Sequence, residues 1–335
     1  MEKLLDEIES YWSTRTEGYS EVNHKELAGT QKNAWLKVLT SQFPDKPKEE
    51  IRILDIGTGP GFFPVILAEA GYHVDAVDYT EGMLEKAKEN AGDLCRNIRF
   101  LRMDAQKLDF EDNTFDVVIS RNLTWNLEHP DVAYREWVRV LKVGGRLLNF
   151  DANWYGYLYE EEQRKAYEND RKNVENNSLD DHYLCTDIER MERIALQVPL
   201  SKISRPQWDV KTLREAGLLG IRTDTEIWKT VWSEEERLNY QSTPMFMVTG
   251  VKPDHFLNLP VAAGEKTEGF LETDRRKGTT ICYPTSSAPQ DNRFDEKLTD
   301  ELELLSAEAK FHGMTLADFL ELCQRAFNEM EVTAK

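Results

Sequence analysis

The 335-residue sequence lacks paired cysteines, paired histidines, long apolar runs and a basic excess, and each absence removes a class of function. Its four cysteines, Cys95, Cys185, Cys282 and Cys323, show no C-x-x-C spacing, which argues against a zinc knuckle or a disulfide framework and for reduced, mostly structural thiols. The six histidines are scattered without an H-x-x-x-H pair, so no metal site is expected. No stretch approaches the roughly 20 apolar residues that span a bilayer, and the opening MEKLLDEIESYW is an acidic amphipathic helix rather than a basic and apolar leader. A cytoplasmic protein with no membrane partner is expected. With 61 acidic against 42 basic residues, the formal net charge of -19 repels nucleic-acid phosphates, and no local basic stripe offsets it. Nucleic acid is therefore not an expected partner.

What the sequence does have is alternation. Residues 1 to about 42 carry helical periodicity through Tyr11, Trp12, Tyr19, Leu27, Trp35, Leu36 and Leu39. Strands are expected at 51–56, 72–78, 98–103, 115–120 and 146–151, the last after a Gly144-Gly145 turn. Helices between them start at Gly61 with Pro64 in the first turn, at Thr80 as a cap, and at Pro130. Five strand-helix repeats imply a mostly parallel sheet with helices on both faces and a ligand outside the carboxyl ends of the strands. The rhythm breaks at Ala152 to about Pro206, an aromatic and charged stretch that reads as a helical insertion over that edge. A helix at 209–217, a strand at 221–232 and a final strand at 245–251 follow, with a single turn between the last two implying an antiparallel hairpin. Residues 253–294, rich in proline, read as a linker with some ordered pieces, and 295–335 as a helical extension in which Gly313 ends one helix and Thr315 caps the last.

The stretch ILDIGTGPGFF sets the functional question. Gly57, Gly59 and Gly61 follow a strand and open a helix, a turn that lets backbone approach a ligand closely. A dinucleotide loop wants G-x-G-x-x-G, but Phe62 stands where its third glycine would be. Asp78, ending the second strand, suits a ribose in either family. Asp104 with Ala105, ending the third, suits an adenine edge: the carboxylate accepts from the exocyclic amine and the backbone N–H donates to a ring nitrogen.

With D-I-G-T-G-P-G (55–61), Asp78 with Met83-Leu84, M-D-A (103–105), F-D-V-V-I-S (115–120) and R-V-L-K-V-G-G-R-L (139–147) in this order, the sequence resembles the class I S-adenosylmethionine-dependent methyltransferases of the UbiE-like, methyltransferase type 11 group. The resemblance spans roughly 36–252 and implies a Rossmann-like α/β fold: a seven-stranded, mostly parallel sheet with one antiparallel strand, a helical lid at about 152–206 and a C-terminal helical extension. It implies a methyltransferase domain over 43–252, an N-terminal segment 1–42 that closes over the cofactor, and S-adenosyl-L-methionine as that cofactor. Carried over by residue, Gly57, Thr58 and Gly59 would wrap the methionine part with Asp55 orienting the loop. Asp78 would take the ribose hydroxyls, Met83 and Tyr79 would pack near adenine, and Asp104 and Ala105 would read its edge. Asn122 would touch the methionine amino group or the substrate. Tyr11, Tyr19 and Arg15 either close over the cofactor, with Arg15 at its carboxylate, or belong to an amphipathic helix packed on the domain.

The segments after the fourth and fifth strands, RNLTWNLEHP (121–130) and FDANWYGYLY (150–159), carry the candidates for catalysis. Asn122 with Trp125 is similar to the amide-and-ring motif of amine methyltransferases without its prolines; Tyr155 belongs to a ring cluster that suits a cationic or planar acceptor. Trp125 and Trp154 serve equally as packing for the insertion. His129 is either a general base or a local cap or surface group. The expected reaction is in-line methyl transfer to a small molecule under the aromatic lid. The alternatives are a non-catalytic S-adenosylmethionine-binding sensor or assembly subunit, and an NAD-dependent oxidoreductase. The acidic C-terminal helices are either a homodimer or partner face or a packed cap.

Overall fold

The computed structural model describes residues 4–182, 186–253, 270–274, 278–282, 302, 305–306, 309–310 and 314–329. Contacts divide the chain into two units, Met1–Lys252 and Pro253–Lys335. In the first unit the strands are β1 (Arg52–Ile56), β2 (His73–Asp78), β3 (Ile98–Arg102), β4 (Phe115–Arg121), β5 (Leu141–Asp151), β6 (Leu219–Asp224) and β7 (Phe246–Val251). They form one sheet in the order β3-β2-β1-β4-β5-β7-β6, in which β7 alone runs antiparallel to its neighbours. The chain order reverses between β1 and β4, and a crevice opens at the carboxyl ends there. The central strand β4 is buried from Phe115 to Ser120, the continuous burial expected of a strand covered on both faces.

Two cores follow from the alternation of β4. Val118 faces the side of α5 (Pro130–Val140), where Tyr134 and Trp137 are fully buried. Val117 and Ile119 face the other side, with Trp35 of α2 (Gln31–Thr40) and Phe63 of α3 (Phe62–Glu69). The N-terminal segment is a 25-residue helix, α1 (Leu4–Ala28), that lies against α4 (Glu81–Ala91). Thr80 stands at the cap position of α4 but makes no side-chain capping bond.

Three expectations need correction. β5 begins at Leu141 rather than at residue 146, because Gly144 and Gly145 sit in an irregularity of the strand and do not form a separate turn. A Cβ on Gly145 would lie 2.7 Å from Leu141 Cδ2 and 2.8 Å from Lys142 O, so only glycine permits the kink. The strand expected to reach Trp232 ends at Asp224. The single turn expected after it is instead a segment with two short helices, α9 (Trp228–Val231) and α10 (Glu234–Asn239). Ser233 and Glu236 form a capping box that starts α10, a signal present in the sequence. The insertion is helical as expected, with α6 (Glu161–Asn176), α7 (Ile188–Ala195) and short 3-10 turns, followed by α8 (Gln207–Glu215).

In the second unit β8 (Phe270–Asp274) and β9 (Gly278–Cys282) pair antiparallel within the stretch expected to be a linker. The final helix, Leu316–Glu329, is capped by Thr315, whose hydroxyl accepts from the Asp318 N–H while the Asp318 carboxylate accepts from the Thr315 N–H. Cys185 and Gly313 lie outside the described residues.

One buried polar network ties the insertion to the sheet. Arg205 donates to Asp151 at 2.7 Å and, through two nitrogens, to Asp209 of α8 at 2.6 and 2.9 Å, and all three side chains are fully buried. The Tyr134 hydroxyl donates to Asp209 and accepts from Asn149 Nδ2, whose Oδ1 accepts from Thr124. Asp151 also accepts from the Trp125 N–H at 3.0 Å, the Ala152 N–H and the Trp154 indole. Replacing Arg205 with methionine strands two buried carboxylates. The expected loss is about 3–5 kcal/mol of stability, read by urea unfolding of purified protein; a midpoint within error of wild type would contradict this assignment.

Candidate functional site

The turn after β1 is shaped by backbone demands before any ligand is considered. Gly57, Gly59 and Gly61 all have positive φ (71°, 52° and 91°). A Cβ at Gly57 would meet Leu123 Cδ2 at 2.7 Å, and one at Gly61 would meet Ala87 of α4 at 3.0 Å. The N–H groups of Gly57 and Thr58 donate to Val77 O, folding the loop onto the end of β2. Asp78 completes the hold: its two oxygens accept from the Gly59 N–H at 2.8 Å and the Thr80 N–H at 2.9 Å. A carboxylate offers about four lone-pair directions, so two remain for a diol.

Around this turn lies a narrow cavity lined by Asp55, Gly57, Thr58, Gly59, Asp78, Tyr79, Met83, Asp104, Ala105 and Asn122. These are nearly all the expected cofactor residues, gathered from the ends of β1 to β4. Asp104 accepts from the Gln106 N–H (2.8 Å) and side-chain amide (3.1 Å), while Gln106 Oε1 accepts from the His129 N–H. Ala105 O accepts from the buried Trp137 indole at 2.9 Å, which fixes the peptide beside Asp104. Arg102 lies over the Tyr79 ring and pairs with Glu9 of α1 at 2.8 Å.

Asp55 is 2% exposed, and burial pushes its carboxyl up to about 7, against the opposing pull of the Thr58 hydroxyl and the Arg121 guanidinium. Burial likewise raises the Asp78 carboxyl, with the backbone N–H groups of Thr80 and Gly59 opposing. Two buried amide atoms have no partner: Asn122 Oδ1, an acceptor without a donor, and Asn126 Nδ2, a donor without an acceptor. A zwitterionic amino-acid group would satisfy the Asn126 donor through its carboxylate and Asp55 through its ammonium, so these two residues fit the methionine end of S-adenosylmethionine and leave Asn122 Oδ1 at the wall.

A second and larger cavity, about 620 Å³, adjoins the first. Trp12, Tyr19, Asn23, Arg121 and Asn122 line both. Asn122 holds φ 56°, a conformation asparagine tolerates better than most residues, and its carbonyl accepts from the Trp125 indole at 3.0 Å. Trp125 stacks on Tyr155 with centroids 5.0 Å apart, and both line the second cavity.

Tyr11 and Arg15, expected over the cofactor, line the second cavity and not the first. The helix explains this: Leu5, Ile8, Trp12, Tyr19 and Asn23 share one stripe of α1, while Tyr11, Arg15, Gly18 and Val22 share the next. His129, expected as a general base or as a local cap or surface group, has a 62% exposed side chain near Glu128, makes no side-chain capping bond and lines neither cavity, so it is a surface group.

Sequence reasoning placed Asn126 in the segment facing the cofactor without giving it a role, and missed Trp12, Arg121 and Gln106. The Trp12 indole donates to Asn126 Oδ1 at 2.7 Å, linking α1 to the turn after β4. Arg121 pairs through both terminal nitrogens with Glu26 (2.8 and 3.0 Å) and lies over the Phe62 and Phe63 rings. Arg121 ends a strand whose other residues are all buried, and that terminal charge was the available signal. The segment 232–245, which supplies Trp232, Glu236 and Tyr240 to the second cavity, was hidden by the reading of 233–244 as a single turn between strands.

Residues 54–149 match a methyltransferase domain family. Among similar proteins, a demethylmenaquinone methyltransferase of Paenarthrobacter aurescens is 34% identical over 149 residues, 44% of this chain and 56% of that protein. One from Clavibacter sepedonicus is 41% identical over 98 residues, 29% and 39% of the two. A ubiquinone/menaquinone biosynthesis C-methyltransferase UbiE of Pseudomonas entomophila is 41% identical over 103 residues, 29% and 40%. The chain thus spans between 39% and 56% of the length of these relatives. A solved structure of phosphoethanolamine N-methyltransferase 2 from Haemonchus contortus with S-adenosyl-L-methionine is 18% identical over 66% of this chain and 53% of that one, with a TM-score of 0.48. With the glycine turn and the two strand-end carboxylates in place, residues 54–149 form a domain similar to those of class I S-adenosylmethionine-dependent methyltransferases of the UbiE-like group.

Proposed function

We propose that this protein transfers a methyl group from S-adenosylmethionine to a small-molecule acceptor, with cofactor in the narrow cavity and acceptor in the larger one. The observation that carries this reading is the wall the two cavities share at Trp12, Tyr19 and Asn122. When bound, S-adenosylmethionine supplies a methyl already activated on a sulfonium. What remains for the chain is alignment and exclusion of water.

Asp78 offers its two remaining lone-pair directions to the ribose, Asp104 and Ala105 face the adenine edge, and Met83 and Tyr79 pack beside it. Gly57, Thr58 and Gly59 surround the methionine part, Asp55 faces its ammonium and the Asn126 amide its carboxylate. On the acceptor side Trp125 and Tyr155 form one wall, Arg15 and Tyr11 another, under a lid from about 152–206. The exposed His129 has no part in this arrangement. The quinone-pathway names of the relatives support a small-molecule acceptor. No helix among the described residues is long and apolar enough to cross a membrane, which supports a cytoplasmic site of action. A homodimer or partner contact through the C-terminal helices belongs to the same proposal.

Two outcomes test it. S-adenosylhomocysteine should bind with a Kd of about 1 μM or tighter by calorimetry, roughly -8 kcal/mol. Asp78→Ala, which frees the Gly59 N–H and removes the ribose acceptor, should weaken binding about 100-fold; an unchanged isotherm would count against the site. The second outcome concerns pH. The ligand's ammonium selects ionised Asp55, and that carboxyl ionises only as pH rises through about 7. Affinity should therefore climb between about pH 6 and 8, by up to about tenfold per unit below the midpoint, with proton release on binding. Asp55→Asn should flatten this profile, and a wild-type affinity that falls over the same range would contradict the role.

A further inference from the structure

We propose that the acceptor in the second cavity is an organic cation, an amine that enters as its ammonium ion. This rests on the two-cavity reading above and narrows its substrate class. Three independent features of the cavity agree on it.

The first is charge. Among the described residues, six carboxylates line this cavity, Glu21, Glu26, Asp180, Asp181, Glu235 and Glu236, against the permanent cations Arg15, Lys25 and Arg121. Arg121 is already engaged bidentately by Glu26, and Asp181 by Arg171 at 2.6 Å. Glu236 is held in place by neutral hydrogen-bond donors, with the Arg121 guanidinium, itself engaged by Glu26, acting on it only through space. It accepts from the Gln31 amide (2.6 Å) and the Ser233 N–H (2.7 Å), both neutral donors, and stands within the field of Glu26. A positive ligand relieves that field, and an anionic one adds to it.

The second feature is the ring lining. Trp154, Tyr240 and Trp232 meet edge to face or tilted, with centroids 5.2 and 5.7 Å apart, on the side of the cavity that carries Glu236. Rings beside carboxylates form the environment in which an ammonium gains from both quadrupole and charge. The third is Asn122 Oδ1, buried at the wall between the cavities with no donor. An amine N–H supplies one; a quinone carbonyl does not.

For transfer, the bound ammonium first gives a proton to water. The freed nitrogen lone pair then forms the N–C bond as the C–S bond breaks with its electron pair left on sulfur. Charge and atoms balance without an oxidant or a metal.

The test uses the full-length protein saturated with S-adenosylhomocysteine and reads tryptophan fluorescence, since Trp154 and Trp232 line the cavity. The probes are benzylamine, a cation at pH 7.5, and the similarly shaped benzyl alcohol and benzoate. Benzylamine should saturate at a concentration about tenfold or more below the other two. Glu236→Gln keeps an N3 residue able to cap Ser233 and should reduce that preference about fivefold or more, with S-adenosylhomocysteine affinity unchanged. Benzyl alcohol or benzoate binding as well as benzylamine, or no benzylamine signal, overturns the cation assignment while the cofactor site stands. Failure of S-adenosylhomocysteine to bind overturns both.

Discussion

The arrangement depends on one buried guanidinium. Arg205 lies at the end of the insertion, and its bonds to Asp151 and Asp209 join the tip of β5, the turn after β4 and helix α8 at a point no water reaches. Two carboxylates share one cation there, so the group is tolerable only because Tyr134, the Trp125 N–H and the Trp154 indole take up the remaining acceptor capacity. Trp125 and Trp154 are also walls of the second cavity. Their positions are thus fixed by an electrostatic constraint behind them as well as by packing, and the cavity inherits its shape from the fold.

A second constraint works on the cofactor side by the same logic. Asp78 is a ligand candidate only after it has acted as a structural residue, since its oxygens first pin the Gly59 and Thr80 N–H groups. The glycine turn, the end of β2 and the start of α4 are therefore one unit. Helix α1 closes that unit from outside through Trp12–Asn126 and Arg102–Glu9. Because Trp12 and Tyr19 line both cavities, a single helix borders the two together.

The legible part of this was local. Strand and helix alternation, the glycine turn and the acids at strand ends follow from short-range rules, and Asp55, Asp78, Asp104 and Asn122 do come together at one cavity. The two-stripe geometry of α1 was available from a helical period but needed the helix to be seen against the sheet before Tyr11 could be assigned to the second cavity alone and Tyr19 to both. The Ser233–Glu236 capping box was written in the sequence, inside the stretch read as a single turn between the last two strands. Arg205 with Asp151 was not legible at all: the pair spans 54 residues, and neither residue type signals burial. Long-range charge pairing leaves no periodic trace, which is why the polar core and the acid balance of the second cavity emerged only from the coordinates.

The central claim is spatial: the reactive sulfur sits at the wall between the two cavities. A crystal structure of the protein with S-adenosylmethionine tests it most directly. The account predicts adenine density beside Asp104, ribose at Asp78, and the sulfonium methyl pointing past Asn122 and Tyr19 into the aromatic cavity. Density for the sulfonium facing away from that wall, or for the nucleoside anywhere but the ends of β2 and β3, would contradict it.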